Sequence, residues 1–475
     1  MKSSDLINLC GWNIDCLVNS LAVVLVNVAR GSVPRDLIER SVFANKARCL
    51  DNDCMVDVHE IDVKELISTL GSEVFREAYS KAISILTLNE LRQLINSFVE
   101  LNIENISKIV HKITDIKKDD LNSGFVSEQI GTLLYLDENY EDAEDRFREA
   151  KMMYENFGLN DRAKFMEAFI KVARAEALKN KALKLHEENR HEDEEKLIKE
   201  AAKLYAESSV IFHKIQLTIP EARVNYLLSK SDSVEVLANY YFTHGQTDEA
   251  EKYYTMCYNE LRQLSTLDEE YQKILNLKRS TCLAFAKLCK AINTGEMTYY
   301  EEAADEFSKL VEEGYLEDVM IETAMIAYRG ALDSAKSIDD VLRIYPKYLR
   351  FVSKYIDLKV KERYENFENM ISELKRREMD SVSKELGVDE YAFKIYLAYK
   401  ALEKAYIDEK DVNINPLELM TYIAGLGMDP IGINPEELIQ DMRSAVEELP
   451  EEIERSVTKL INRMNKYLTD WLFTY

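Results

Sequence analysis

Four stretches of the chain carry the same spacing of small and large apolar residues, and this repetition constrains the fold more than any other feature. They read IGTLLYLDENYEDAEDRFREAKMMY from Ile130, KALKLHEENRHEDEEKLIKEAAKLY from Lys181, LANYYFTHGQTDEAEKYYTMCYNEL from Leu237 and KAINTGEMTYYEEAADEFSKLVEEG from Lys290. The second letter is always small (Gly131, Ala182, Ala238, Ala291), where a neighbouring helix can approach, and the eighteenth is always a large apolar knob (Phe147, Ile198, Tyr254, Phe307). Each copy reads as helix, turn, helix. A single hairpin of this kind cannot bury its own apolar face, so copies stack into a solenoid whose curved surface grips a partner.

The rest of the chain supports an all-α reading. Glycine and proline number 14 and 7 in 475 residues, under half the usual share of about 12%, and residues 35–219 contain no proline. Apolar residues recur at helical spacing, whereas alternating strand patterns closed by Asn-Gly or Asp-Gly turns are missing. Helices are expected over 17–30, 63–85 and 88–98 in an N-terminal region, 1–120, that lacks the repeat. The polar stretch DIKKDDLNSG from Asp115 marks its boundary. The repeat region is expected over 121–378, with further hairpins after the fourth copy. A C-terminal region or cap, 379–475, is expected to hold helices over 391–406, 416–424 and from Asn434, where Asn434-Pro435-Glu436-Glu437 has helix-start chemistry. The closing WLFTY, from Trp471, either tucks onto the last helix or serves as a free aromatic anchor.

One run, LVNSLAVVLVNVA over residues 17–29, is apolar enough to raise a membrane question, but it falls well short of the roughly 20 residues a span needs. Asp5 and Asp15 precede it where a signal peptide carries positive charge. It is expected to be a buried helix, in a chain with no membrane span. Net charge is −25, divided as −4 over residues 1–120, −14 over 121–330 and −7 over 331–475. A field of that sign repels phosphate backbones and favours basic partners, although the simpler reading is that it keeps a large helical surface soluble.

At Ala143, Glu194, Ala250 and Ala303 the copies are spaced by 51, 56 and 53 residues. The pattern resembles the tetratricopeptide-repeat family, best in the third copy (Leu237, Ala238, Tyr241, Gly245, Ala250, Tyr254) and well in the first (Gly131, Leu134, Ala143, Phe147, Ala150). The second copy departs at Glu194, and the fourth at Thr294 and Leu310. A period above 50, against about 34 in the family, implies longer or additional helices. The resemblance covers about 190 residues by the four copies. It implies a right-handed, tetratricopeptide-like solenoid whose first helices line a concave groove. The matching groove positions are Thr132 and Tyr135, Leu183 and His186, Asn239 and Phe242, and Ile292. They suit an extended peptide or docked helix, with Tyr135 and Phe242 as anchors and Asn239 bonding a peptide backbone. The family's clamp for a terminal carboxylate needs lysine or arginine beside that asparagine. Here Glu235 stands one turn earlier and Glu128 holds the same place in the first copy, so a basic helix or tail is the expected ligand.

Chemistry-bearing motifs are sparse. There is no phosphate-binding GxxxxGK[ST] loop, no GxGxxG and no GxSxG elbow. The His-Glu pairs at His59, His186 and His191 lack a second histidine four residues on, so no zinc-hydrolase helix is present. Cys49 and Cys54 have the gap of a zinc knuckle, with Cys10, Cys16 and His59 as possible completing ligands, and they also allow a disulfide, but the main expectation is ordinary free cysteines. Cys257, Cys282 and Cys289 read as packing residues. Seven cysteines leave at least one thiol free, and a reducing cytoplasm is the default location. The Asp411-Val-Asn413-Ile-Asn415 run imitates a calcium loop but has Pro416 and Tyr422 where that loop needs glycine and glutamate. No metal, cofactor or catalytic residue is therefore assigned.

The expectation is a non-enzymatic cytoplasmic scaffold or adaptor that holds a protein partner in an acidic, aromatic-lined groove. Two alternatives belong to other classes. One is a subunit of an RNA- or DNA-containing assembly that uses local basic patches such as Lys375, Arg376 and Arg377. The other is an enzyme built on the N-terminal cysteine and histidine cluster, which would carry zinc.

Overall fold

In the computed structural model the described residues are 3–11, 13–58, 61–101, 103, 106–114, 121–261, 269–313, 318–388, 390–408 and 451–472. The Asp411 turn, the helices expected after Pro416 and Asn434, the end of the aromatic tail and His59 lie outside them. Among the described residues the chain is all-α apart from one small sheet, and consecutive helices pack against their chain neighbours as in a solenoid. It divides into two compact units, 1–237 and 238–475, with the division falling within one helix. Boundaries expected at 120 and 378 fall inside these units.

The first unit opens with α1 (Ser3–Cys10), α2 (Ile14–Arg30), β1 (Val33–Pro34), α3 (Arg35–Glu39), β2 (Arg48–Leu50) and β3 (Asp53–Met55). The apolar run forms α2, buried along residues 17–26 and packed on α4 (Val63–Ile85) and α5 (Leu88–Glu100). No described helix is long and apolar enough to cross a membrane. Local chemistry fixes these helix ends. The Asn13 side chain accepts from the Cys16 amide at 3.0 Å, Gly31 closes α2 in the left-handed region, and Thr87 with Glu90 forms a reciprocal capping box on α5. The sheet, in the order β1-β3-β2 and antiparallel throughout, was not expected. Strands of two or three residues are too short to produce a readable alternation.

After α6 (Ser107–Ile113), the first unit continues into the repeats: α7 (Leu121–Leu136), α8 (Tyr140–Asn156), α9 (Asn160–Glu187), α10 (His191–Ile215) and the start of α11 (Ala222–Thr243). The second unit contains the rest of α11, then α12 (Thr247–Glu260), α13 (Glu269–Thr294), α14 (Met297–Glu312), α15 (Asp318–Asp333) and α16 (Ile338–Tyr364). Short α17 (Phe367–Leu374) and α18 (Met379–Leu386) precede α19 (Glu390–Asp408), which packs on both α16 and α20 (Glu451–Leu472).

All four small residues and all four knobs of the repeat are buried. A β-carbon on Gly131 would lie 2.8 Å from the Phe147 ring, so the smallest residue in the series faces a large ring. The long helices α9, α10 and α13 account for the extended period. A second regularity is the buried tyrosine hydroxyl. Tyr154 donates to Glu128, Tyr205 to Glu176, Tyr254 to Asn239 (2.6 Å), Tyr328 to Asp305 (2.9 Å) and Tyr396 to Asp357 (2.8 Å). Each ring fills an interhelix gap while its hydroxyl meets an acceptor on another helix, as burial of a polar tip requires.

Three of the hairpin turns share one closure. Glu138, Asn189 and Gly245 have positive φ, and each donates to the carbonyl three residues back, as Glu138 does to Tyr135 at 3.1 Å. The next amide reaches five residues back, as Asn139 does to Leu134 at 2.8 Å. This is the Schellman ending of a helix. The fourth copy instead closes through a single bond from Gly295 to Ala291 (2.8 Å). Glu138 is the least suited of these residues to left-handed backbone. Glu138→Gly is expected to stabilise the first unit by about 0.5–1 kcal/mol, seen as a higher urea midpoint, whereas a lower midpoint would show that the Glu138 side chain matters more than its backbone.

Candidate functional site

The groove positions divide between the two units. In the first, Thr132 and Tyr135 lie on α7. Thr132 is half-buried and donates to the Glu128 carbonyl at 3.0 Å. Tyr135 is half-buried, with its ring edge-to-face on Tyr140 at 5.3 Å. Burial first, then the carboxylates of Glu176 and Asp232, hold the Tyr135 hydroxyl well above the usual phenol range. The same causes raise Tyr205, which donates to Glu176, and Lys179 pairs with that carboxylate at 2.8 Å. Residues of α7, α9, α10 and the start of α11 thus form a tyrosine and carboxylate cluster around Tyr135. Burial followed by Glu176 pushes the neighbouring Tyr140 up to about 12.

Further along α9, Leu183 is 64% exposed. His186, one turn on, turns toward the start of α10, where its Nδ1 lies 3.2 Å from Glu194 Oε2. A cleft of about 290 Å³ lies between the α7–α8 turn and α9, lined by Glu138, Tyr140, Asp142, Asn180, Lys181 and Lys184 among others. The two lysines make it a mixed-charge cleft.

In the second unit, Asn239 is exposed and its Oδ1 accepts from the Tyr254 hydroxyl. Phe242 is half-buried, edge-to-face on Tyr254 (6.3 Å) and Phe285 (5.6 Å), and belongs to the packing between helices. Ile292 is 44% exposed. Leu183 and Ile292 are therefore the candidates that offer open apolar surface.

Several sequence expectations change. Glu128, expected beside the groove, is buried (4% exposed), accepts from both Nε and a terminal nitrogen of Arg162, and takes the Tyr154 hydroxyl as well. It contributes nothing to a rim, so the case it made against a carboxylate-bearing ligand falls away. In the basic cluster, Arg376 pairs with Glu373 at 3.3 Å and Arg377 with Glu385 at 2.5 Å. Six cysteines are joined as Cys10–Cys16, Cys49–Cys54 and Cys257–Cys282. The disulfide alternative therefore holds for Cys49 and Cys54, while Cys257 and Cys282 are linked rather than merely packed. Cys289 is free and buried; burial, then Glu251, pushes its thiol up to about 12, so it is a poor nucleophile.

Sequence reasoning also passed over Glu194 as a site residue. It is 5% exposed and lies 3.3 Å from His191 Nδ1 as well as 3.2 Å from His186. A search for paired histidines on one helix could not find it, because its partners stand on either side of a turn. Neither a protein-family model nor a curated protein matches the chain.

Proposed function

We propose that this chain is a non-enzymatic, tetratricopeptide-like scaffold that holds a basic peptide or helix of a protein partner. In the first unit the face formed by α7 and α9 carries the proposed contact. The observation behind this reading is the cluster at Tyr135, where an aromatic ring shares its surroundings with the half-buried carboxylates Glu176 and Asp232. Glu176 already pairs with Lys179, so the attraction for a cationic side chain comes from the field of the two carboxylates near low-dielectric surface rather than from a vacant partner. Exposed Leu183 supplies apolar contact on the same helix as Glu176. The charge of −14 over residues 121–330 acts in the same direction at longer range. Asn239 and Ile292 give the second unit its own contact positions.

A nucleic-acid role gains no support from the Arg376 and Arg377 pairing, since both guanidinium groups already meet carboxylates. A cytoplasmic location now has a narrower basis. Paired cysteines persist in oxidising compartments and inside hyperthermophiles, and the abundance of Glu, Lys and Ile in this chain suits the latter.

The test is capture from native lysate at low and moderate salt, with and without nuclease, comparing the wild type with Leu183→Lys and Ile292→Lys. Both positions are open, so the melting temperature should not move. Capture of a stoichiometric protein is expected to weaken at least about tenfold with Leu183→Lys. Undiminished capture by both variants would remove the face from consideration, and partners lost to nuclease would favour a nucleoprotein subunit.

A further inference from the structure

The second repeat breaks the pattern of the other copies at position fourteen and differs from the first copy at positions six and eleven, and the three residues meet in space. Position fourteen is Ala143, Ala250 and Ala303 in the other copies but Glu194 here. Positions six and eleven are Tyr135 and Tyr140 in the first copy, whose rings touch edge-to-face; in the second they are His186 and His191, in the same relation with centroids 5.8 Å apart. The fold thus brings positions six and eleven together in both of these copies. The second copy fills them with imidazoles and places a buried carboxylate where the repeat otherwise has a methyl group.

We propose that His186, His191 and Glu194 bind a first-row divalent metal ion, of which zinc is the best match, at the α9–α10 turn. The donor atoms lie within 4.8 Å of one another, with each Nδ1 at 3.2 or 3.3 Å from Glu194 Oε2. Donors about 2.0–2.1 Å from a tetrahedral zinc are separated by about 3.3–3.4 Å, so both imidazole-to-carboxylate distances match edges of that tetrahedron. Imidazole and carboxylate are the ligand types this class of ion takes. The carboxylate is 5% exposed while the two imidazole side chains are 44% and 50% exposed, so an ion can reach the donors from solvent. Three side chains leave a fourth position for water or for a donor from outside the hairpin. Because the ligands come from the last turn of α9 and the first turn of α10, the ion clips the hairpin closed at its tip.

Partner capture plays no part in the test, so failure here leaves the scaffold reading standing. The whole chain is stripped with chelator, dialysed and titrated with zinc chloride alone, with calorimetry and elemental analysis as readouts. One equivalent is expected to bind with a dissociation constant of about 1 µM or tighter and to raise the melting temperature. Glu194→Ala installs the residue the other copies carry, so the hairpin should still form, and the double variant His186→Ala with His191→Ala removes the imidazoles. Each should weaken zinc by more than about a hundredfold, since even outer-shell partners are worth about 10–100-fold. His213→Ala, elsewhere on α10, should bind as the wild type does. If the wild type takes up no more zinc than these variants, the two imidazoles do no more than hydrogen-bond to a buried carboxylate and the metal site is overturned.

Discussion

Arg162→Ala is expected to destabilise the first unit by about 3–5 kcal/mol. Glu128 sits on α7 with its side chain 6% exposed, and Arg162, near the start of α9, meets both of its carboxylate oxygens. The guanidinium group also lies over the Phe165 ring at 4.8 Å, which holds its plane in place for the bidentate contact. Removing it leaves the Tyr154 hydroxyl as a neutral donor to a buried charge. One such donor does not offset the desolvation of a carboxylate. Adding Glu128→Gln removes the charge but keeps an oxygen that can accept from Tyr154, so the double variant should lose only about 1–2 kcal/mol. Urea unfolding gives the total, and amide exchange along α7 shows where protection is lost. A loss below about 1 kcal/mol in the single variant would mean that Glu128 regains water at little cost, and that the pair orients α7 against α9 without stabilising the unit.

Burial of Glu128 shows where reading from sequence stops. Periodicity places it on a face of α7, but the residue that buries and neutralises it lies 34 positions on, in another hairpin. By contrast, the end of α2, both ends of α4 and the start of α5 agree with the expected 17–30, 63–85 and 88–98, and local signals stand there (Gly31, Asp62, Thr87 with Glu90), whereas the start of α2 at Asn13 lies earlier than expected. The four hairpins were legible for a related reason, since Gly131 and Phe147 record a contact that the chain repeats. Tyr135 and Phe242 looked like anchors because they occupy groove positions, yet Phe242 packs on Phe285, which belongs to the following hairpin. The histidine pair left a readable trace in the departure at Glu194. In the sequence that departure only weakens the second copy's match to the repeat, because nothing local ties Glu194 to partners at positions six and eleven.

Breaking the Cys257–Cys282 link should have the second large effect, about 3 kcal/mol on the second unit. Both sulfurs are buried, and the bond joins α12 to α13 across a separation of 25 residues. In the chain-entropy account the stabilisation grows with the loop that is closed, so the Cys49–Cys54 bond, with a separation of 5, should be worth only about 2 kcal/mol. Cys257→Ala with Cys282→Ala keeps the site apolar but removes two buried sulfurs along with the link, and unfolding of the reduced wild type separates the two losses. Mass spectrometry of an unreduced digest identifies the pair, and urea unfolding of the oxidised wild type against the double alanine variant measures its effect. The third cysteine of this region should not exchange into the bond. Cys289 is buried, its thiol is pushed up to about 12, and attack on a disulfide requires the thiolate. A Cys257–Cys289 bond would overturn the reading of Cys289 as inert while still joining α12 to α13, and equal stability of the two proteins would show that these helices are held by packing alone. In that case the aromatic contacts between these helices, with Tyr254 stacked on Phe285 at 5.2 Å, hold them together in place of the covalent bond.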